Sequence, residues 1–341
     1  MKEILLLFCF LVFVIPSAFG DESSQGWETL PDMPERRSEA GSAAVGEKIF
    51  VIGGLNNEDM ATRTVFAFDT RSESWSSAKS MPLTLHHAGV ASYNDKVYVA
   101  GGYLEGWIPN YSLLIYDSKS DSWTFGPEMP TARGALAAKF VDGKLYAIGG
   151  FNKFTRAENE VYDPITESWE KRSPMPTARE HLTIAVLDEY LYAIGGRAVQ
   201  SNTDVNERYN YKTDSWETLP ALPTARSGLT SSVLSDAIFV FGGEGPLYTF
   251  EENEAYIPDE GWFTQQPMPV SRHGLTAVTV GQNIYLFGGG VVPGFSSSAI
   301  AEKYHNTVVP EFGFFASIVL VLSIASIIVI TKSKSLGFSR L

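Results

Sequence analysis

Cysteine is almost absent: the 341 residues hold one, Cys9, inside an apolar N-terminal run. A chain trimmed after that run would carry none, which excludes disulfide staples, a thiolate nucleophile and cysteine metal ligands. Histidine is scarce, at five residues, and the 26 Lys and Arg are outnumbered by 39 Asp and Glu, for a net charge of −13. So acidic a surface is repelled by nucleic acid and by anionic surfaces, and nucleic acid is not an expected partner. No phosphate-binding loop is present, because Gly288-Gly289-Gly290 is followed by no helical pattern. What is abundant is aromatic and glycine, with 21 Phe, 15 Tyr, 7 Trp and 30 Gly. That mixture points to an all-β protein with many tight turns.

Long apolar runs occur only at the two ends. Lys2, the run Ile4 to Ile15 and the small residues of Ala18-Phe19-Gly20 have the form of a secretory signal over 1–20. Phe312 to Ile330 carries no charge, and Lys332, Lys334 and Arg340 follow it. The spacing predicts a transmembrane helix over 312–330 and a basic cytoplasmic tail over 331–341. The expected order is signal 1–20, linker 21–26, folded domain 27–305, linker 306–311, helix and tail. The exported part keeps 22 basic and 37 acidic residues, near −15.

Between the ends the chain repeats. Adjacent glycines fall at Gly53-Gly54, Gly101-Gly102, Gly149-Gly150, Gly195-Gly196, Gly242-Gly243 and Gly288-Gly289. Their intervals are 48, 48, 46, 47 and 46, and Trp27, Trp75, Trp123, Trp169, Trp216 and Trp262 keep the same ones. Each unit reads as four short strands: a small-residue strand, a tight turn, a strand ending in diglycine, a variable loop, a strand closing on an aromatic, and the Trp strand. Such a sheet buries both faces only by stacking on its neighbours. The sixth unit ends at Tyr304 with no Trp after it, while Trp27 opens the chain unpaired, so the chain start is expected to supply the last blade's outer strand.

Diglycine, aromatic and Trp recurring in register resemble the kelch repeat, from about Trp27 to Tyr304. The resemblance implies a six-bladed β-propeller, one blade per repeat, with each first strand lining a central channel.

Three residues past the Met-Pro or Leu-Pro corner of each unit stands Arg37, Arg133, Arg179, Arg226 or Arg272; only the second blade departs, with Leu85 followed by His86-His87. These positions begin the inner strands and are expected to ring one mouth of the channel, where guanidinium forks suit carboxylates. The alternative is that they bond nearby carboxylates or carbonyls and hold the blades. The loops after each diglycine share that face, with Tyr103, Trp107, Tyr111, Phe151, Phe154, Tyr248 and Phe250. In kelch propellers that grip acidic peptides, arginines at the blade start and aromatics after the diglycine make the contacts, and Arg133, Arg179, Arg226, Tyr103 and Phe151 stand at matching positions.

The histidines offer no metal centre on this reading. His87 and His181 share one repeat position and His86 and His273 another, as repeat residues would, and no cofactor is implied. Kelch copper radical oxidases need a cysteine cross-linked to tyrosine, which Cys9 in the signal excludes. Sugar-modifying kelch enzymes use a channel carboxylate and arginine, for which Arg179, Glu180 and His181 are the candidates. Asn110-Tyr111-Ser112 matches a glycosylation acceptor. Pro310-Glu311-Phe312-Gly313 before the apolar helix resembles the PEFG-type sorting signal of archaeal surface proteins, which implies exchange of the helix for a lipid anchor. The first reading is a cell-surface binding module for a protein, peptide or glycan. The alternative is an epimerase-like or mutarotase-like envelope enzyme with its site in the channel.

Overall fold

A computed structural model describes residues 26–199 and 201–305. The expected signal, sorting motif, transmembrane helix and tail lie outside the described residues.

Six four-stranded antiparallel sheets surround one axis. The third blade shows the plan: Ala137–Val141, Lys144–Ile148, Asn159–Asp163 and Ser168–Arg172 pair in sequence order from the axis outward. The sixth blade is assembled from both ends of the domain. Its strands Thr276–Val280, Asn283–Phe287 and Ala301–Tyr304 are completed by Trp27–Thr29, with Trp27 opposite Tyr304. The expected closure is therefore present, and the blade at the seam has its fourth strand like the other five.

Because side chains alternate across a strand, each sheet sends one set of residues to each neighbour, and the core is divided among the blade interfaces. One such layer holds Phe239 and Phe241 of the fifth blade against Ile284, Leu286, Tyr304 and Trp27 of the sixth. The second glycine of each pair has φ between 90° and 115°, and a Cβ on Gly102 would stand 2.8 Å from the His86 carbonyl oxygen. Only glycine fits there. The tryptophans also stitch blades together. Trp123 Nε1–H donates to the Lys79 carbonyl at 2.7 Å, Trp169 to Pro127 at 2.8 Å and Trp216 to Ser173 at 2.8 Å, each on the preceding blade. Trp27 does the same for the sixth blade, donating to Gln266 at 3.2 Å.

Candidate functional site

The five arginines do not face the channel. Arg133, Arg179, Arg226 and Arg272 are fully buried and Arg37 is 2% exposed, which corrects their expected place on a ligand-facing rim. The guanidiniums of Arg133, Arg179, Arg226 and Arg272 turn into the blade and collect carbonyls left free where the diglycine ends the second strand, whereas Arg37 donates to the Arg36 carbonyl and to the Thr64 hydroxyl. Arg133 donates to Gly149 and Ala147, both at 2.9 Å, and to Thr131 at 2.8 Å. It also meets Glu160 at 2.5 Å. Arg179 pairs with Glu207 at 2.9 Å, Arg226 with Glu254 and Arg272 with Glu302. Burial lowers the Arg179 guanidinium to about 10 against the raising effect of Glu207. Arg37 lacks a strand glutamate, since Phe66 stands there, and it pairs with Glu35 and lies over the Phe66 ring. In the second blade both partners are apolar: Leu85 and Leu114 are buried in one cluster. These residues clamp blades.

The position two residues further on faces the axis. Glu39, His87, Ala135, His181, Gly228 and Gly274 occupy it in the six blades, all with φ between 49° and 62°. Their backbones form a closed ring of six hydrogen bonds. Each N–H donates to the carbonyl of the preceding blade's residue, from Glu39 to Gly274 at 2.7 Å around to His87 to Glu39 at 2.9 Å. Holding a left-handed conformation costs a non-glycine residue about 1–2 kcal/mol, so Glu39, His87 and His181 stand where glycine, used by two blades, is cheaper. Gly274 has a second reason to be glycine: a Cβ there would fall 2.2 Å from Glu39 Oε1.

The ring gathers a polar cluster. His87 Nε2 is 3.3 Å from Glu39 Oε2, and His273 Nδ1 lies 3.5 Å from both Glu39 Oε1 and Glu244 Oε2. Glu39, His87 and His181 each bring one donor atom within 4.8 Å of the others. Sharing a repeat position does not keep these side chains apart, because the propeller axis makes equivalent positions converge. Burial would raise the Glu39 carboxyl, but His87, His273 and His181 outweigh it and hold it far below the usual carboxylate range. Burial pushes His86 down to about 4 and His87 well below its ordinary value. His273 goes the other way: burial opposes its charge, yet Glu39 and Glu244 prevail and raise it.

Beside this cluster, Glu180 receives Arg197 Nε–H at 2.7 Å and contacts His181 Nδ1. Burial works to raise Glu180, and the charges of His181 and Arg197 hold it at about 2. Glu180 and Arg197 face each other across a bridge joining the blade start to the residue after the diglycine. Arg179, grouped with them on sequence grounds, is buried elsewhere. Arg197, Glu39 and Glu244 were not among the predicted site residues. Their signal is positional: each stands on the axial ring position or directly after a diglycine.

Glu180, His181 and Arg197 form the floor of a pocket of about 780 Å³, walled by Tyr103, Trp107, Phe151 and Phe154. Trp107 is 45% and Phe154 72% exposed. Trp107 is held edge-on to His86 and tilted against His87 and Tyr103. Tyr103 is buried, and its hydroxyl donates to the Phe151 carbonyl at 3.1 Å. Tyr111 and Tyr248 are exposed, whereas Phe250 is buried. Asn110 is also buried, and its amide donates to Gly101 at 3.3 Å while accepting from Ser112. A glycosylation acceptor must be accessible, so that expectation is corrected. Below the ring the channel is lined by small residues and hydroxyls with one lysine, Lys139, whose ammonium burial pushes below its ordinary value.

Comparison with known proteins agrees with this architecture. The KLHDC2/KLHL20/DRC7 kelch-repeats domain matches residues 20–196, and a single kelch motif matches 178–223. No curated protein matches the chain. Among solved structures, "Structure of YjhT" superposes with a TM-score of 0.71 at 15% identity, covering 80% of this chain and 96% of that one. At that identity the likeness is one of fold. With more than half of its length matched and six blades closed by its own first strand, the chain belongs to the kelch-repeat family.

Proposed function

We propose that this propeller is a binding module displayed outside the cell, taking a peptide segment or glycan in the pocket between Trp107 and Phe154. The observation that carries the proposal is the pairing of exposed aromatic walls with a charged floor. Kelch propellers commonly act as interaction modules, and binding hot spots favour aromatic and arginine side chains. Here the arginine is Arg197, the one guanidinium among the pocket's lining residues. Ring faces accept apolar side chains or sugar faces, and the Glu180–Arg197 pair offers both acceptor and donor atoms. The apolar runs at the two ends support export and membrane attachment.

A second reading rests on the same floor: Glu180, His181 and Arg197 are the groups a sugar-modifying enzyme would use for proton transfer. The two separate experimentally. On peptide and glycan arrays, Trp107→Ala/Phe154→Ala should lose the features that the wild-type chain binds, by tenfold or more in affinity. Phe125→Ala, an exposed aromatic on an outer strand, should lose none. Identical array profiles for wild type and the pocket variant would refute the binding site. Conversion of a bound sugar, abolished by Glu180→Gln with binding retained, would favour the enzyme.

A further inference from the structure

We propose that Glu39, His87 and His181 form a binding site for one divalent transition-metal ion on the propeller axis, at the floor of the channel mouth. Two imidazoles and one carboxylate are a donor set used by zinc and by non-haem iron. Bonds near 2.0–2.1 Å in tetrahedral geometry place donor atoms about 3.3 Å apart, the separation already found between His87 Nε2 and Glu39 Oε2. The remaining separations, none above 4.8 Å, close with a shift of at most about 1.5 Å.

The surroundings are those of a ligand sphere. A metal-binding histidine commonly donates its other ring N–H to a carboxylate or similar acceptor, which fixes the ring. His181 Nδ1 contacts the Glu180 carboxylate, itself anchored by Arg197 at 2.7 Å. His87 Nδ1 is 2.5 Å from His86 Nδ1. Arg197 also brings a guanidinium nitrogen 3.0 Å from His181 Nδ1. With Nδ1 of both histidines engaged, Nε2 is assigned as the ligand atom of each, and His87 Nε2 already stands beside Glu39. Glu39 is given its room by Gly274, where a Cβ would occupy the space of its carboxylate. With three protein ligands the ion keeps open positions, and His181 lines both the channel and the aromatic pocket, so a carboxylate or hydroxyl of a bound molecule could complete the sphere. The site stands independently of the binding function proposed above.

The fold supplies its own control variants. Since Gly228 and Gly274 hold the same backbone conformation on the ring, His87→Gly and His181→Gly remove a ligand without straining the chain. The untagged full-length chain, stripped with chelator and titrated with Co2+ alone, should bind one equivalent with visible d–d absorption. Either glycine variant should weaken binding a hundredfold or more with unchanged near-ultraviolet circular dichroism. Glu180→Gln should weaken it about tenfold, and His305→Ala should leave it intact. X-ray absorption of the Zn2+-loaded wild type, which needs no variant, should show two imidazole nitrogens. Absence of saturable stoichiometric binding, fewer than two imidazoles on the metal, or undiminished affinity in a folded glycine variant would each overturn the proposal.

Discussion

At the scale of single residues, the six blades perform a comparison among themselves. Four of them bury an arginine against a strand glutamate, Arg133–Glu160, Arg179–Glu207, Arg226–Glu254 and Arg272–Glu302. The second blade has Leu85 and Leu114 at those places, packed in its core. A buried ion pair is costly to break but replaceable as a unit, because desolvation opposes its Coulomb gain. Arg133→Leu, which strands Glu160 at full burial, should cost about 3–5 kcal/mol. Adding Glu160→Leu should restore most of that loss, as measured by urea denaturation. A double variant no more stable than the single would show that the pair's hydrogen bonds to Gly149 and Ala147, rather than the charges, govern the clamp. The arginine repeat was plain in the chain, but its orientation was not: position along a strand does not say whether a long side chain leans to the axis or into the blade. The partner glutamate, two residues before the strand-closing Tyr in the last four blades, is the signal that settles it.

At the scale of the element, the turn between the third and fourth strands is built the same way in successive blades. Asp69 accepts from the N–H groups of Arg71 and Ser72, and Asp117 from those of Lys119 and Ser120, all at 3.0 Å. Asp163 accepts from Ile165 at 2.8 Å, and Asn210 does so from Lys212 at 2.9 Å without a charge. The donated N–H groups lower all three aspartates. A carboxylate lowered in the folded state contributes stability above its unfolded value near 3.9, and that contribution fades as pH falls through the folded value, because the unfolded chain takes up protons first. Asp69→Asn/Asp117→Asn/Asp163→Asn, which gives three more blades the side chain that the fourth already carries at Asn210, should therefore be slightly less stable than wild type at pH 7. The gap should close below about pH 4. Denaturant melts from pH 2.5 to 7 measure it, and a gap independent of pH would assign the difference to geometry instead. These turns were legible as polar segments, whereas the axial cluster was not. His87 and His181 are 94 positions apart, and only closure of the circle brings them together.

At the scale of the whole molecule, the structure depends on a seam. Trp27–Thr29 pairs with Ala301–Tyr304, yet no short turn connects them, unlike the outer strands of the other five blades. Within a blade, a detached outer strand stays tethered beside its partner; at the seam it is released into solvent with the whole domain as its loop. Opening there exposes the edge of Ala301–Tyr304 and the layer of Phe241, Tyr304 and Trp27. Glu28 and Lys303 lie directly opposite each other, in a hydrogen-bonded pair flanked by Leu30 N–H to Ala301 and His305 N–H to Gly26. Cα atoms in such pairs are about 5.5 Å apart, within disulfide range. Glu28→Cys/Lys303→Cys in a Cys9→Ser background would thus bear a single possible bridge. Loop-entropy reasoning gives up to about 5 kcal/mol for so long a loop. The lost Lys303–Glu28 contact at 2.9 Å is exposed on the glutamate side and counts for less than about 1 kcal/mol. The oxidised variant should melt well above its own reduced form, with slowed amide exchange at residues 301–305. Equal melting temperatures for the two redox forms would mean that unfolding does not begin with separation of the chain's two ends, and that blade stacking alone holds the circle shut.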